Sequence, residues 1–472
     1  MNRLNSIVAM LREHWILFAS GLLIQSAFSS YLFLGDAARP TSTLWQSLLP
    51  AAVGYGLALW FVLRSAPAEP HAHPGVSVTV IVLWAILFRA TLLAGDPHLS
   101  DDIYRYIWDG RVQLAGVNPY SFAPSSPQLV ELQDHLYGAI NHKQIPTVYP
   151  PFAQMFFTLV CAIQPGVFMM KLCLTVCEVG LIFLIIALLR RRGQDTRRAL
   201  LYAWHPLAVI EVAGNGHVDA LGVFLLLLAL LWLTSGHRYA SAAALSLAFL
   251  SKLLPLIALP VVWRELGRRQ SGLTRWVHPA GRLPVLLFAT LSAAGYLVYS
   301  TAGTSVAAGL EIYLRKWRFN DSLYSVILDV VETSMNSSGE TAFMQARWVS
   351  LGLLAAVSVW STIRVADPLR AVFLVVAAYL LLSPTVHPWY LLWLLPFVPF
   401  FPKPAWLLLS WSAFLAYEVL DRYRFGGVWM EESWVRWVEY APVYLLLLLP
   451  ALIRMCRGLS SVGGRHGNGK AW

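Results

Sequence analysis

The stretch from Ser100 to Tyr120, SDDIYRYIWDGRVQLAGVNPY, puts two adjacent carboxylates, Asp101 and Asp102, at the head of a charged, aromatic-rich loop that follows an apolar run. A carboxylate so placed can accept the proton of a hydroxyl as that hydroxyl attacks an electrophilic carbon, which is the work of a general base. The alternative for either aspartate is a helix cap, because Ser and Asp favour N-cap positions and YRYIWDGRV reads as a helix. Lys252 stands inside another apolar stretch, YASAAALSLAFLSKLLPLIALPVVW, at 239–263. An ammonium at membrane depth costs about 2.5–3.5 kcal/mol on insertion scales, so it calls for an anion such as a lipid phosphate, or else snorkels to the headgroups.

Other residues could serve the same chemistry. Arg105 and Arg111 are further cation candidates, but six residues separate them on a helix, so at most one faces a shared pocket, and Arg105 has Asp109 as an alternative partner. The run YLRKWRFNDSLY sets Arg315, Lys316, Trp317 and Arg318 beside Asn320, a mixture suited to sugar or phosphate headgroups and equally to an exposed membrane rim. In GNGHVD, Gly214 and Gly216 permit close backbone approach while His217 and Asp219 can hydrogen-bond a sugar. His-x-Asp is also a fragment of many metal sites, but no second cluster at ligand spacing accompanies it. His387, Trp389 and Tyr390 offer rings to a hexose face or to the interfacial belt. Glu178 and Glu211 fall inside apolar runs and are read as structural charges needing a partner such as an arginine or a backbone donor.

These residues must be positioned by membrane helices. Hydrophobic residues make up 57% of the 472 and charged residues 13%, with a mean hydropathy of +0.59. Such a chain prefers hydrocarbon to water and reads as an all-α polytopic membrane protein with no strand patterning. Apolar spans are expected near 15–34, 44–63, 77–94, 166–189, 199–213, 218–234, 283–300, 347–363, 370–382, 387–401, 404–420 and 440–453, about 12 in all. The first of these reads as a retained span and not as a cleaved signal peptide. The net charge of +10 arises from arginines in short loops, Arg190–Arg192, Arg197, Arg198, Arg264, Arg268, Arg269, Arg275 and Arg282. Short basic loops stay cytoplasmic, so this charge sets orientation and does not point to nucleic acid. Two apolar stretches then cannot cross: 150–164, expected as a short interfacial helix, and 239–263, expected as a hairpin with Ser251 and Lys252 at its tip. With these choices the segments rich in polar and aromatic residues, 95–148, 214–217, 301–346, 383–387 and 421–439, all fall outside. The four cysteines, Cys161, Cys173, Cys177 and Cys456, lie in or beside apolar runs, with no zinc spacing and no reliance on disulfides. One membrane domain, 1–456, is expected, followed by a frayed cytoplasmic tail, 457–472.

The loop at Ser100–Tyr120, YPPF at Tyr149–Phe152, GNGHVD at Gly214–Asp219, SKLLP at Ser251–Pro255 and SPTVHPWYLLWLLPF at Ser383–Phe397, in that order, resemble the GT-C glycosyltransferases. The likeness runs from about 95 to 400 and is greatest to bacterial polyprenyl-phosphate-mannose-dependent mannosyltransferases and more distant to the enzyme adding the first mannose to GPI anchors. The resemblance implies a GT-C fold with membrane hairpins and juxtamembrane helices on the outer loop. It implies an inverting transfer of a hexose, mannose first, from a polyprenyl-phosphate carrier to a lipid or glycan acceptor at the outer face of a bacterial inner membrane. Asp101 and Asp102 map onto the family's acidic loop residues, although its DxD or DE pattern is here DD followed by Ile103, which leaves open which is the base. Tyr104, Arg105, Arg111, His217, Asp219, Lys252, Trp317, Arg318, Asn320, His387, Trp389 and Tyr390 become the substrate-binding candidates. No cofactor is expected and a divalent metal is not favoured; the partners are the lipid-linked donor, the acceptor and membrane lipids. A lipid transporter or flippase would also bury ionisable residues, but it predicts internal repeats, which the sequence lacks, and a non-catalytic lipid-binding scaffold would leave the aspartate loop without a use. Asn320-Asp-Ser322 and Asn336-Ser-Ser338 match glycosylation acceptors as an alternative to a substrate contact at Asn320.

Overall fold

A computed structural model of the chain describes residues 2–34, 40–64, 76–268 and 277–463. Continuous apolar runs give the straight elements. Helix α1 (Asn2–Leu34) is kinked at His14, and its apolar part pairs with α2 (Ser42–Arg64) and α3 (Val76–Leu93). Then come α4 (Asp102–Leu114), the short α5 (His135–Ala139), α6 (Pro151–Ile163) and α7 (Val167–Arg191). Five described segments are long and apolar enough to cross a bilayer: His14–Phe33, Ser42–Arg64, Val76–Leu93, Val167–Arg191 and Gly339–Arg364. Two bent pairs raise this to seven, one turning by 119° between Pro206–Gly214 and Asp219–Thr234, the other by 104° between Gly281–Leu297 and Ser300–Lys316. The chain is therefore an all-helical polytopic membrane protein.

Two stretches expected as spans are not single helices. Residues 199–213 break into α8 (Leu200–Ala203), α9 (Pro206–Val209) and a π-helical turn at Ile210–Gly214, with His205 and Pro206 forming the corner. Residues 387–401 are 3₁₀ turns at Pro388–Trp393 and Leu395–Phe397, because each proline removes a backbone donor. Every residue from Pro388 to Phe400 is buried, as is every residue from 199 to 213. Irregular backbone survives at membrane depth only where protein covers it, and these two segments pack on each other at the centre of the molecule.

The remaining elements surround them. The apolar stretch at 239–263 forms α11 (Arg238–Ser251), which follows α10 (Asp219–Thr234), then breaks at Lys252 and continues through a 3₁₀ turn into α12 (Leu259–Leu266). Next are α13 (Pro279–Leu297), α14 (Ala308–Lys316), α15 (Leu323–Met335), α16 (Gly339–Arg364), α17 (Pro368–Leu382), α18 (Pro404–Ser412), α19 (Val419–Gly426) and α20 (Ser433–Gly463). Helix α20 runs on through Arg457 to Gly463, and the rest of the expected tail, 464–472, lies outside the described residues, like Arg269 and Arg275. At 13 residues α6 is about 20 Å long, too short to cross, as its sequence suggested.

Buried charges tie the bundle. Arg89 on α3 grips Glu178 on α7 through two hydrogen bonds of 2.6 and 2.5 Å and also donates to the Ala203 carbonyl at 2.8 Å. This is the arginine that the buried Glu178 required. At the start of α7, Lys171 donates to the Leu92 and Gly95 carbonyls at 2.8 and 2.6 Å, closing the end of α3 just before the aspartate loop. The arginines at 190–192 lie some twenty residues further along the same helix, about 30 Å away, which is the thickness of a hydrocarbon core.

Candidate active site

Helix α4 is held on α6 by close packing and a polar network. A Cβ on Gly110 would stand 2.6 Å from the Phe157 carbonyl oxygen, so glycine alone allows the crossing at this distance. Tyr106 stacks on Phe157 at 4.6 Å, Arg105 donates to Asp109 at 2.8 Å, and Gln154 donates to Asp109 at 2.9 Å. The N-terminus of α4, where the helix dipole favours negative charge, is thereby fixed with both aspartates on it.

Asp101 occupies the N-cap position, yet its side chain makes no capping hydrogen bond. It accepts instead from the Asn141 amide at 2.5 Å. Burial, and then the charge of Asp102, push the Asp101 carboxyl up to about 6. Asp102 begins the helix, one quarter of its side chain exposed, and its Oδ2 lies 3.9 Å from Nδ1 of His217. The preceding loop is anchored by Asn215, whose side-chain oxygen accepts from the His98 and Leu99 amides at 3.3 and 3.1 Å.

The GNGHVD turn supplies the second wall. Gly216 has φ of +78°, and a Cβ there would meet Ile103 Cδ1 at 2.4 Å, so the turn approaches the first turn of α4 as closely as a glycine permits. His217 is fully buried between Asp102 and Glu211, whose Oε2 lies 3.2 Å from Nε2. Glu211 also accepts from the Tyr417 hydroxyl at 2.7 Å and the Asn215 amide at 3.1 Å. Asp219, two residues beyond His217, receives both Lys252 Nζ, at 2.7 and 2.8 Å, and the Trp393 indole N–H at 2.6 Å. Lys252 Nζ also lies 4.5 Å over the Tyr390 ring.

The two acidic centres are joined by rings. Trp389 stacks on His217 at 4.0 Å and on His387 at 4.3 Å, one imidazole on each face, and His387 stacks in turn on Phe319 at 4.7 Å. His387 and Trp389 thus each cover a face of the other. Tyr390 shares a 2.7 Å hydrogen bond with Tyr313 of α14. A parallel bridge between Phe319 and Thr385 fastens the 301–346 segment to the 383–387 turn.

The structure therefore gathers Asp101, Asp102, His217, Asp219, Lys252, His387, Trp389 and Tyr390 into one cluster. Arg105, three residues after Asp102 on α4, donates from Nη1 to the Ile145 carbonyl at 3.0 Å, and its buried Nη2 has no hydrogen-bond partner. Tyr104 is half-buried, under the influence of Asp96 and Asp101. Trp317 lies edge-on to His142 at 4.7 Å. Three candidates are placed elsewhere. Arg111 pairs with Asp134 on the surface at 2.8 Å, and Arg318 pairs with Asp321 at 2.7 Å, where Arg436 joins it. Asn320, at φ +50° and 2% exposed, donates to Glu439 at 3.1 and 3.2 Å. It is a left-handed turn residue holding the loop on α20, and its burial excludes a glycan acceptor role.

Glu211, Asn215, Trp393, Asn141 and Tyr417 have no place among the sequence candidates. Glu211 carried a signal, a carboxylate in an apolar run beside a glycine turn, which read equally well as a structural charge. Among the described residues no three His, Cys, Asp or Glu side chains group so as to hold a metal ion.

The profile of the family described as "Alpha-(1->6)-mannopyranosyltransferase, N-terminal domain" matches residues 18–266, which include both aspartates, Glu211, His217, Asp219 and Lys252. "Alpha-(1->6)-mannopyranosyltransferase B" of Corynebacterium glutamicum is 24% identical over 388 residues, 72% of this chain and 63% of that protein. The chain thus aligns with less than two thirds of that relative's length. Because the profile covers more than half of the chain, and the part that builds the aspartate loop, the GNGHVD turn and the lysine, this protein belongs to that family.

Proposed function

We propose that the protein transfers mannose from a polyprenyl-phosphate carrier to a hydroxyl of a lipid-linked or glycan acceptor, forming an α-(1→6) linkage at the outer leaflet of a bacterial inner membrane. The observation that carries this reading is the carboxylate pair at the α4 N-terminus within one cluster with Lys252, with Arg105 on the same helix. A hydroxyl is a weak nucleophile, and Asp102, open to solvent and backed by His217, takes its proton as the oxygen attacks the anomeric carbon. The bond from that carbon to the phosphate breaks as the new one forms, and the electron pair leaves with the lipid phosphate. Attack opposite the leaving group inverts the anomer, so an α product calls for a β-linked donor.

The departing phosphate needs cations aimed where its charge grows. Arg105, with an uncommitted N–H beside the pair, and Lys252, already oriented by Asp219, supply them. No step here uses a metal or a cofactor. The membrane orientation is supported by the helix length that separates Lys171, beside the site, from the arginines at 190–192. That spacing matches the thickness of a hydrocarbon core and supports a reading in which the acidic cluster faces outward and the basic loop faces the cytoplasm.

The test is reconstitution of the full chain in liposomes with radiolabelled polyprenyl-phosphate mannose and a bacterial lipid extract. Label in a new mannosylated lipid supports transfer; label moved across the bilayer on an unchanged carrier would make the protein a flippase, and neither outcome would leave it a binding protein.

A further inference from the structure

His217 has an environment that packing alone does not require. A buried histidine is ordinarily satisfied by one backbone group, but neither ring nitrogen of His217 meets a carbonyl or an amide; each meets a carboxylate brought from a different element. Nε2 lies 3.2 Å from Glu211, on the π turn, and Nδ1 lies 3.9 Å from Asp102, on α4. Neither contact is a formed hydrogen bond: Nε2 is within reach of Glu211 but out of line with it, and Nδ1 stands beyond hydrogen-bond distance of Asp102, whose part-exposed side chain must close that gap. The stack on Trp389 resists rotation of the ring about its Cβ–Cγ bond and so holds the two nitrogens toward their carboxylates. Glu211 is itself fully buried, and a buried carboxylate is costly unless a partner compensates it. Tyr417 and Asn215 orient it with neutral donors, and the imidazole is the group it faces.

We propose that Glu211 and His217 form a relay behind Asp102, with both as positioning residues. Glu211 can only accept, so it fixes the N–H of His217 on Nε2 and leaves the Nδ1 lone pair toward Asp102. When Asp102 takes the acceptor hydroxyl proton, that proton passes on to Nδ1. Asp102 is then a carboxylate again, and the imidazolium lies between two carboxylates until the proton returns to solvent through Asp102. No oxidant or co-reactant is needed. The titratable groups that face this pair include Asp101 and Tyr106 at the start of α4, His142 and Tyr149 before α6, His387 below Trp389, and Tyr31 and Tyr417 beside Glu211, besides the two carboxylates. The phenols are neutral at working pH, and Asp101 is bonded to Asn141, away from the ring.

This inference rests on the proposed transfer reaction with Asp102 as base, and the test separates the two. In reconstituted full-length protein, His217→Gln and Glu211→Gln are each expected to lower kcat at least 20-fold while the donor KM stays within twofold. The double variant is expected to be no worse than the weaker single one, since residues acting as a unit are not additive. Glu211→Gln keeps its shape and its Tyr417 contact, so it decides the matter if His217→Gln does not fold. In an Asp102→Asn background neither substitution should lower the residual rate further, whereas a merely structural role would persist there. A kcat within twofold of wild type in Glu211→Gln, losses that multiply in the double variant, or a KM rise that accounts for the loss would overturn the relay. Near-normal turnover in Asp102→Asn would instead remove the base on which it rests.

Discussion

Lys252 and Asp219 form a closed pair: Nζ lies 2.7 and 2.8 Å from the two carboxylate oxygens, and the Trp393 indole holds one of those oxygens at 2.6 Å. Lys252 is therefore held in one orientation with a quarter of its side chain exposed, while Asp219 is buried, as the proposed role toward the donor phosphate asks. Lys252→Met should lower kcat/KM for polyprenyl-phosphate mannose about 10²- to 10³-fold, the usual loss when one preorganised donor to developing charge is removed. It should also destabilise more than Lys252→Met with Asp219→Asn, because the single change leaves Asp219 uncompensated. Initial rates and thermal midpoints in detergent read the two effects separately, and a single variant as stable as the double one would show that Asp219 does not need its lysine.

Asp102→Asn should cost about 10²- to 10⁴-fold in kcat, the range for loss of a general base. Asp101→Asn should cost less, because the Asn141 amide occupies one of its oxygens and it acts through its charge on Asp102. Radiolabel transfer at saturating donor measures both, and a larger loss at Asp101 would reverse the assignment.

Activity should fall as pH drops through about 6. The Asp101 carboxyl is pushed up to about 6 by burial and by Asp102, so it is ionised above that pH and protonated below it. Protonation removes the negative charge beside Asp102 and weakens it as a base. The acid limb of kcat/KM should therefore lie near 6 and disappear from that range in Asp101→Asn, which has no carboxyl at this position to protonate. An unchanged limb in that variant would assign it to another group.

The straight spans were legible because α2, α3 and α7 are continuous apolar runs, and so was the shortness of α6. Arg105 paired with Asp109 as its spacing of four allowed. Hydropathy could not distinguish 387–401 from a span, since a segment buried in protein and one buried in lipid are equally apolar; only Pro388 and Pro396 hinted at the break. Nor could helical spacing show that Arg111 and Arg318 would be used up by Asp134 and Asp321, or that Lys252 would find Asp219 across 33 residues. Glu211 was visible as a buried charge, but its partner His217 lay across a π turn that no periodicity announces.

Arg89 and Glu178 make a bidentate pair with both side chains no more than 1% exposed, joining α3 to α7. Arg89→Met should destabilise by about 3–5 kcal/mol, since it strands a buried carboxylate. Arg89→Met with Glu178→Leu should recover most of that loss, because apolar pairs of similar volume commonly match a buried ion pair. Unfolding in detergent followed by tryptophan fluorescence would check it; a double variant no better than the single would mean that the Ala203 carbonyl, which Arg89 also holds, is the larger tie.

Gly216 and Gly236 allow backbone strain and site geometry to be separated. Both have left-handed φ, +78° and +86°, and alanine at either should cost about 1–2 kcal/mol for the conformation alone. Around Gly236 nothing stands within 4 Å of the added Cβ. At Gly216 the Cβ would meet Ile103 Cδ1 at 2.4 Å and Lys171 Cγ at 3.2 Å, and Ile103 is the residue after Asp102. Ile103 is fully buried, so its side chain has little free space to turn into, and displacement of the first turn of α4 away from His217 is the expected relief. A shift of about 1 Å in a catalytic group can cost about 10²-fold. Gly216→Ala should therefore lose at least tenfold in kcat, while Gly236→Ala, equally strained, keeps wild-type turnover at the same temperature. Equal activity in the two would mean that contact between the GNGHVD turn and α4 does not set the position of Asp102, and the base would have to be aligned from the Asn141 side instead.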